Sequence, residues 1–284
     1  MNQALTGGLN RAIQLHPAVF KRMLSQRLKA SLMWGAFVCF TVYCLAALDF
    51  FNLTMLAAGV KKLLSVVAFM LPPAANGRLP DFILAIFETL GMAFLGTLLA
   101  SLLALPMGLL GSKNVVGNPV IHFALRRVFD FIRGIDALIW ALVWINVVGL
   151  GPFAGILAIA CSVSGELAKL FSEAIETVDH RQIEGVRASG ANAIQVVRYA
   201  ILPQVFPVIL STTLYYFESN TRSATILGIV GAGGIGLQLA DRIRVLAWDQ
   251  ASLIIVMILV TVYLIDAVSN YVRQHFILAP ERNQ

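Results

Sequence analysis

The chain has 284 residues, of which 58% are hydrophobic and only 13% charged, with a mean hydropathy of +0.81. Soluble domains carry about a quarter charged residues, so this chain has too little polar surface to cover a water-facing core, which excludes a soluble enzyme. The net charge of +6 comes from 21 Lys and Arg against 15 Asp and Glu; in a membrane protein that excess marks cytoplasmic loops and gives no reason to invoke nucleic acid. The apolar stretches are long and continuous rather than alternating, which indicates spanning helices and not a β-barrel.

Residues 1–29 carry Arg11, Lys21, Arg22, Arg27 and Lys29 and show no small-residue cleavage site. They read as an uncleaved cytoplasmic tail. A spanning helix needs about 20 apolar residues. The first candidate is the charge-free stretch Ala30 to Leu48. Residues 49–81 follow, with Lys61, Lys62, Arg78, Pro72 and Pro73, and are too short and too charged to span; they read as a periplasmic segment on the membrane surface. The core of the protein is then expected over residues 82–276. Its first span, Phe82 to Gly111, contains Glu88 and a ladder of small residues, Gly96, Ala100, Ala104 and Gly108. Such a stripe lets another helix approach closely.

Residues 137–165 carry no charge but are interrupted by Gly149-Leu150-Gly151-Pro152. One kinked span or two are open on apolarity alone. Two spans put most Lys and Arg on the inner side, and the positive-inside rule favours them. The third span then starts early, with Asp130, Arg133 and Asp136 near its inner end. Residues 199–217 and 223–240 are also charge-free, with Glu218 to Arg222 between them. Charge counting does not decide there between one broken span and two. A last span runs from Gln250 to Asn270 with Asp266 near its end, leaving Arg273, Arg282 and the tail 277–284 in the cytoplasm. Composition alone leaves six or seven spans. Cys39, Cys44 and Cys161 lie in apolar stretches without metal spacing and read as small core residues. The histidines at 16, 122, 180 and 275 are scattered and make no metal site.

The longest polar segment between spans runs from Ser172 to Tyr199 on the predicted inner face. Its pattern is mildly amphipathic and suits short helices with a turn at Gly190. A plain connector between helices takes about two to eight residues. A longer, mixed-charge, partly apolar loop reads as a docking surface. Within it, Glu184-Gly185-Val186, then Gly190, then Ala200-x-Leu202-Pro203 resembles the EAA loop of ABC importer permeases. The spacings from Glu184 to Gly190 and from Gly190 to Pro203 both match. Gly185 and Val186 replace the two alanines of that motif, and Ala200 replaces its isoleucine. The resemblance implies that loop 172–203 is a coupling helix seated in a groove of an ATPase subunit, with Glu184, Gly185, Arg187, Ala188, Gly190 and Pro203 at the contact.

A second, narrower resemblance lies in Phe217-Glu218-Ser219-Asn220-Thr221-Arg222-Ser223-Ala224-Thr225, followed by Gly231-Ala232-Gly233-Gly234-Ile235-Gly236. With Gly149-Leu150-Gly151-Pro152-Phe153-Ala154-Gly155 it is similar to the phosphonate branch of those permeases, whose members also carry phosphite and hypophosphite. The similarity covers roughly residues 82–276. It implies an all-α integral membrane protein of the bacterial inner membrane, with six transmembrane helices and the type I ABC importer permease fold. It places the glycine run at the outer side, between the fifth and sixth spans. It implies a homodimer, two ATPase subunits that bind ATP and Mg, a periplasmic substrate-binding protein, and a small phosphorus oxyanion as substrate. Methionine permeases carry a similar Gly-Ala-Gly-Gly run, so only the Phe217–Thr225 segment separates an amino-acid importer from this branch.

Glu218 and Arg222 share a helix face and can pair. A charge at membrane depth costs several kcal/mol unless it is paired or wetted. Two readings follow. Glu218 and Arg222 line or gate an anion path, with Asn220, Ser223 and Thr225 as donors and Gly231, Gly233 and Gly234 as a mobile turn. Alternatively they form a structural ion pair that locks a broken helix. Gly231-x-Gly233-x-x-Gly236 has the letters of a dinucleotide fingerprint but lacks its strand, helix and acid. Glu88 and Glu166 are the remaining acids in apolar stretches, and as proton relays they would suit a secondary transporter. No Gly-x4-Gly-Lys-Ser/Thr run, nucleophile–base pair or paired-carboxylate arrangement occurs, so the sequence offers no catalytic or metal-binding residue. ATP, if it drives this protein, is bound by another chain.

Overall fold

The computed structural model describes residues 17–48, 50 and 52–277. Arg11, His16 and Arg282, together with most of both expected tails, lie outside the described residues. The described residues form helices and no strand. The chain divides into two units, Met1–Val67 and Ala68–Gln284.

In the first unit, α1 (Pro17–Ala47) contains the expected first span as Lys29–Ala47. Its 19 residues make about 28 Å of helix, enough to cross a bilayer. None of that stretch is buried within the chain. Cys39 is exposed and Cys44 half-buried, so these two are not the core residues expected. The helix α2 (Leu53–Phe69) has 17 residues, includes Lys61 and Lys62, and buries none of them. It is not among the helices long and apolar enough to cross a membrane.

The second unit opens with α3 (Leu79–Gly111), which has Pro80 in its first turn, where a missing N–H costs nothing. There follow α4 (Pro119–Arg133), α5 (Ala137–Val148), α6 (Pro152–Glu176), α7 (His180–Ala188) and α8 (Ala193–Val196). A π-turn, Val197–Ile201, joins α8 to α9 (Leu202–Leu227), and α10 (Gly234–Arg244) and α11 (Trp248–Val272) complete the unit. The most buried of the long apolar helices is α6. The small-residue ladder of α3 packs on it as expected. Ala100 and Ala104 are fully buried, a Cβ at Gly96 would lie 2.8 Å from Ile159, and one at Gly108 would lie 2.9 Å from Phe171. Only residues without side-chain bulk allow the two helices this separation.

The third span departs from expectation. It does not run straight from Asp130: α4 and α5 are bent by 79° at residues 134–136. Gly134 closes α4, and the Asp136 carboxylate accepts the Leu138 N–H at 2.8 Å, starting a new helix. The 12 residues of α5 make only about 18 Å, too short to cross alone. The fifth span resolves the other ambiguity. Residues Ala193–Ala232 form one candidate span of 40 residues, so 199–217 and 223–232, on either side of Glu218 to Arg222, belong to one crossing, while the rest of the second apolar run, from Gly234, lies in the next helix. Among the described residues, five helices are long and apolar enough to cross a membrane, or six where the bent pair counts as one span.

Candidate functional site

The loop after α6 folds as its sequence suggests. The Asp179 side chain accepts the Arg181 N–H at 2.9 Å and caps α7. The Gly190 N–H donates to the Arg187 carbonyl at 2.9 Å, and Gly190 adopts φ +84°, a left-handed turn that favours glycine. Asn192 and Gln195 form a reciprocal capping box at the start of α8. Ile183 and Val196 are buried and anchor the loop to the core, while Glu184, Gly185, Arg187, Ala188 and Gly190 are all exposed. Beside them Ile194 and Tyr199 are also exposed. Val186, Ser189, Gly190, Ala191, Gln195 and Tyr199 line an open groove. Pro203 stands apart, in the first turn of α9.

The two glycine-rich interruptions, far apart in sequence, meet. The Gly151 N–H donates to the Gly231 carbonyl at 3.1 Å. A Cβ at Gly233 would lie 3.1 Å from Pro152, and Gly231 abuts Leu150. Gly231, Gly233 and Gly234 take φ values of +108°, +85° and +68°, so the break in the helix depends on glycine at all three. The new helix α10 then starts against α3. The Gly234 N–H donates to Glu88 Oε2 at 3.0 Å, and the Ile235 N–H to Thr89 Oγ1 at 2.8 Å. A carboxylate at a helix N-terminus satisfies free N–H groups and complements the helix dipole. Glu88 thus has a structural partner that sequence reading missed. Glu166 faces the Tyr216 hydroxyl.

Glu218 and Arg222 pair as their spacing implies, with Nη2 to Oε1 at 3.5 Å, but within a larger network. Arg222 Nη1 also lies 3.4 Å from Asp266, and Arg273 Nη2 lies 3.7 Å from the second oxygen of Glu218. Two arginines and two carboxylates therefore join α9 to the end of α11. Arg273, expected in the cytoplasmic tail, belongs to this cluster. The Glu218 side chain is largely buried and that of Arg222 is 46% exposed. The neighbouring donors do not converge on it. Asn220 is buried, and its Nδ2 donates to Thr97 Oγ1 on α3 at 2.8 Å. Ser223 and Thr225 donate back to carbonyls of their own helix, those of Ser219 and Thr221. Asp266 and Arg273 lie too far along the chain for any spacing rule to join them to Glu218. The signal available in sequence was only that each is a charge beside an apolar run.

These elements define a multi-pass helical membrane protein with an exposed helix–glycine–helix loop. The chain belongs to the family of binding-protein-dependent transport system inner membrane components, which matches residues 100–277. It is 33% identical over 223 residues to a phosphite transport system permease protein of Stutzerimonas stutzeri, covering 78% of this chain and 81% of that one. It is 35% identical over 236 residues to a phosphate-import permease protein of Mycolicibacterium smegmatis, covering 82% of this chain and 44% of that one. An inward-facing structure of the MetNI methionine ABC transporter superposes with a TM-score of 0.62 at 21% identity, over 71% of this chain and 98% of its own. The type I ABC importer permease fold expected from sequence is therefore present, and the chain is a permease subunit of the inner membrane.

Proposed function

We propose that this chain carries a small phosphorus oxyanion across the inner membrane as the permease of an ATP-driven importer, with phosphite foremost and phosphonate and hypophosphite beside it. The observation that carries the ATP-driven reading is the coupling segment. Glu184, Gly185, Arg187, Ala188 and Gly190 stand exposed on a loop whose buried residues, Ile183 and Val196, tie it to the core. That is the arrangement of a surface held ready for another protein. The partners are a second copy of the chain, two ATPase subunits that bind ATP and Mg, and a periplasmic protein that delivers the anion. Both termini lie in the cytoplasm. Closure of the ATPase pair moves the coupling loop, and the spans reopen outward by alternating access. The Phe217–Thr225 segment and the phosphite permease relative support the substrate class.

Within the membrane, the charged network of Glu218, Arg222, Asp266 and Arg273 keeps each charge beside an opposite one. The half-exposed Arg222 is the member that meets the passing anion, and the break at Gly231–Gly234 is the flexible element beside the path. A proton-coupled secondary mechanism finds no free acid in Glu88, whose carboxylate holds the N-terminus of α10.

The test is gentle purification of the chain from native membranes, mass spectrometry of what accompanies it, and ATP hydrolysis by the complex. The expected result is a stoichiometric P-loop ATPase whose turnover rises with phosphite, methylphosphonate or hypophosphite delivered by the binding protein. Stimulation by methionine alone would make the chain an amino-acid importer; by phosphate alone, a phosphate importer. A chain that emerges alone and moves substrate down a proton gradient in liposomes would refute the reading.

A further inference from the structure

Glu176 is an acid at the unfavourable end of a helix. It closes α6, where the dipole disfavours negative charge. Its carboxylate is held by a set of donors from elsewhere in the chain. The Lys113 backbone N–H donates to Oε1 at 3.1 Å, and Arg126 Nη2 donates to Oε2 at 3.0 Å. Around this pair, Asn114 Nδ2 donates to the Ile175 carbonyl at 2.8 Å, and His122 Nδ1 donates to the Gly111 carbonyl at 2.7 Å. Phe129 of α4 packs against Gly111. The end of α3, the helix α4 and the end of α6 are thereby fastened together.

This block lies at the root of the coupling helix. Just beyond Glu176, α7 begins at His180. On the other side the root is held more loosely, by the Asp179 N–H donating to Gln204 Oε1 of α9 at 3.3 Å. A charge-assisted bond is shorter and about twice as strong as a neutral one, so of these two polar attachments at the root of α7 the stronger runs through Glu176 to α4. From there α4 continues through its 79° bend into α5. The far end of α5 is the turn in which the Gly151 N–H holds the Gly231 carbonyl. Together α4 and α5 form an angled lever, with the Glu176 clamp at one end and the glycine break at the other.

We infer that Glu176 is a positioning residue for transport: its bond to Arg126 passes displacement of the coupling helix into α4, and the α4–α5 lever delivers it to the Gly151–Gly231 contact. The inference rests on the coupling role of loop 172–203. Spatial continuity alone does not establish coupling, so the test reads the far end of the lever directly.

The experiment uses the complete chain in complex with its ATPase, with Cys39, Cys44 and Cys161 replaced by alanine and a single Leu150→Cys label. Leu150 is exposed at the turn beside Gly231. The rate of its modification by a water-soluble maleimide is measured with and without ATP and vanadate. ATP is expected to change that rate about tenfold, within the usual range for coupling between sites. Glu176→Gln keeps the shape but loses the charge, and should leave a change of less than about twofold. The swapped pair Glu176→Arg with Arg126→Glu should recover most of the response, and Glu176→Gln should lose the response while still assembling with the ATPase, which a merely structural role would not predict. A full response in Glu176→Gln, with the response lost in Gly190→Trp, overturns the clamp while leaving the coupling loop intact. A full response in Gly190→Trp overturns the coupling reading itself. Should Glu176→Gln fail to assemble, Arg126→Gln leaves Glu176 its backbone donor, and a full response there overturns the clamp.

Discussion

Asn220 of α9 reaches across to Thr97 of α3. The Nδ2–Oγ1 distance is 2.8 Å, and the two residues are 5% and 1% exposed. Thr97 Oγ1 in turn donates to the Ala93 carbonyl at 2.6 Å, so its own hydrogen stays satisfied whatever happens at position 220. Asn220→Leu therefore removes one interhelical bond and leaves no orphaned donor. Such bonds between membrane helices are worth about 0.6 kcal/mol on average and at most about 1.7. The expected loss is about 1 kcal/mol, which lowers Tm by roughly 2–4 °C for a unit of this size. Thr97→Val costs more, because the Asn220 amide is then buried without an acceptor, a penalty of about 1–3 kcal/mol. The double variant should fall short of the sum by about 1 kcal/mol, the coupling expected of residues in contact. Thermal unfolding in detergent, followed by tryptophan fluorescence, measures all four corners of the cycle, and uptake in proteoliposomes is measured beside it. Additive losses would refute the bond. A several-fold fall in uptake with unchanged Tm would place Asn220 on the path after all.

The other expectations concern three glycines. A Cβ at Gly96 would sit 2.8 Å from Ile159, so Gly96→Ala should destabilise by about 1–3 kcal/mol through overpacking, seen as a lower Tm in the same assay. Gly185 has open space around it inside α7, so Gly185→Ala should stabilise that helix by about 0.8–1 kcal/mol, with protection of its amides from hydrogen exchange rising accordingly. Gly190 also faces open space, and only its φ of +84° constrains it. Gly190→Asn, which tolerates that conformation, should keep uptake, whereas Gly190→Trp should insert normally and uncouple ATP hydrolysis from uptake.

The features that the sequence settled are those encoded locally. Length and scarcity of charge place the apolar spans at 30–48, 82–111 and 250–270, because crossing a bilayer is a requirement on about 20 successive residues. A turn at Gly190 between short helices follows from residue type alone, and so does the helix-facing ladder from Gly96 to Gly108, whose spacing equals about one turn. Local rules were weaker where a helix had to bend. The restart after Gly134 uses Asp136 accepting a bond from Leu138, and the charges of the fifth span, Glu218 and Arg222, find partners at Arg273 and Asp266. Glu88 caps a helix that begins 146 positions later, and Asn220 meets a threonine 123 positions earlier. Hydropathy and spacing constrain each residue against its neighbours along the chain. Pairing of buried charges and hydrogen-bond donors is decided by which helix faces lie together, and only the tertiary structure determines that.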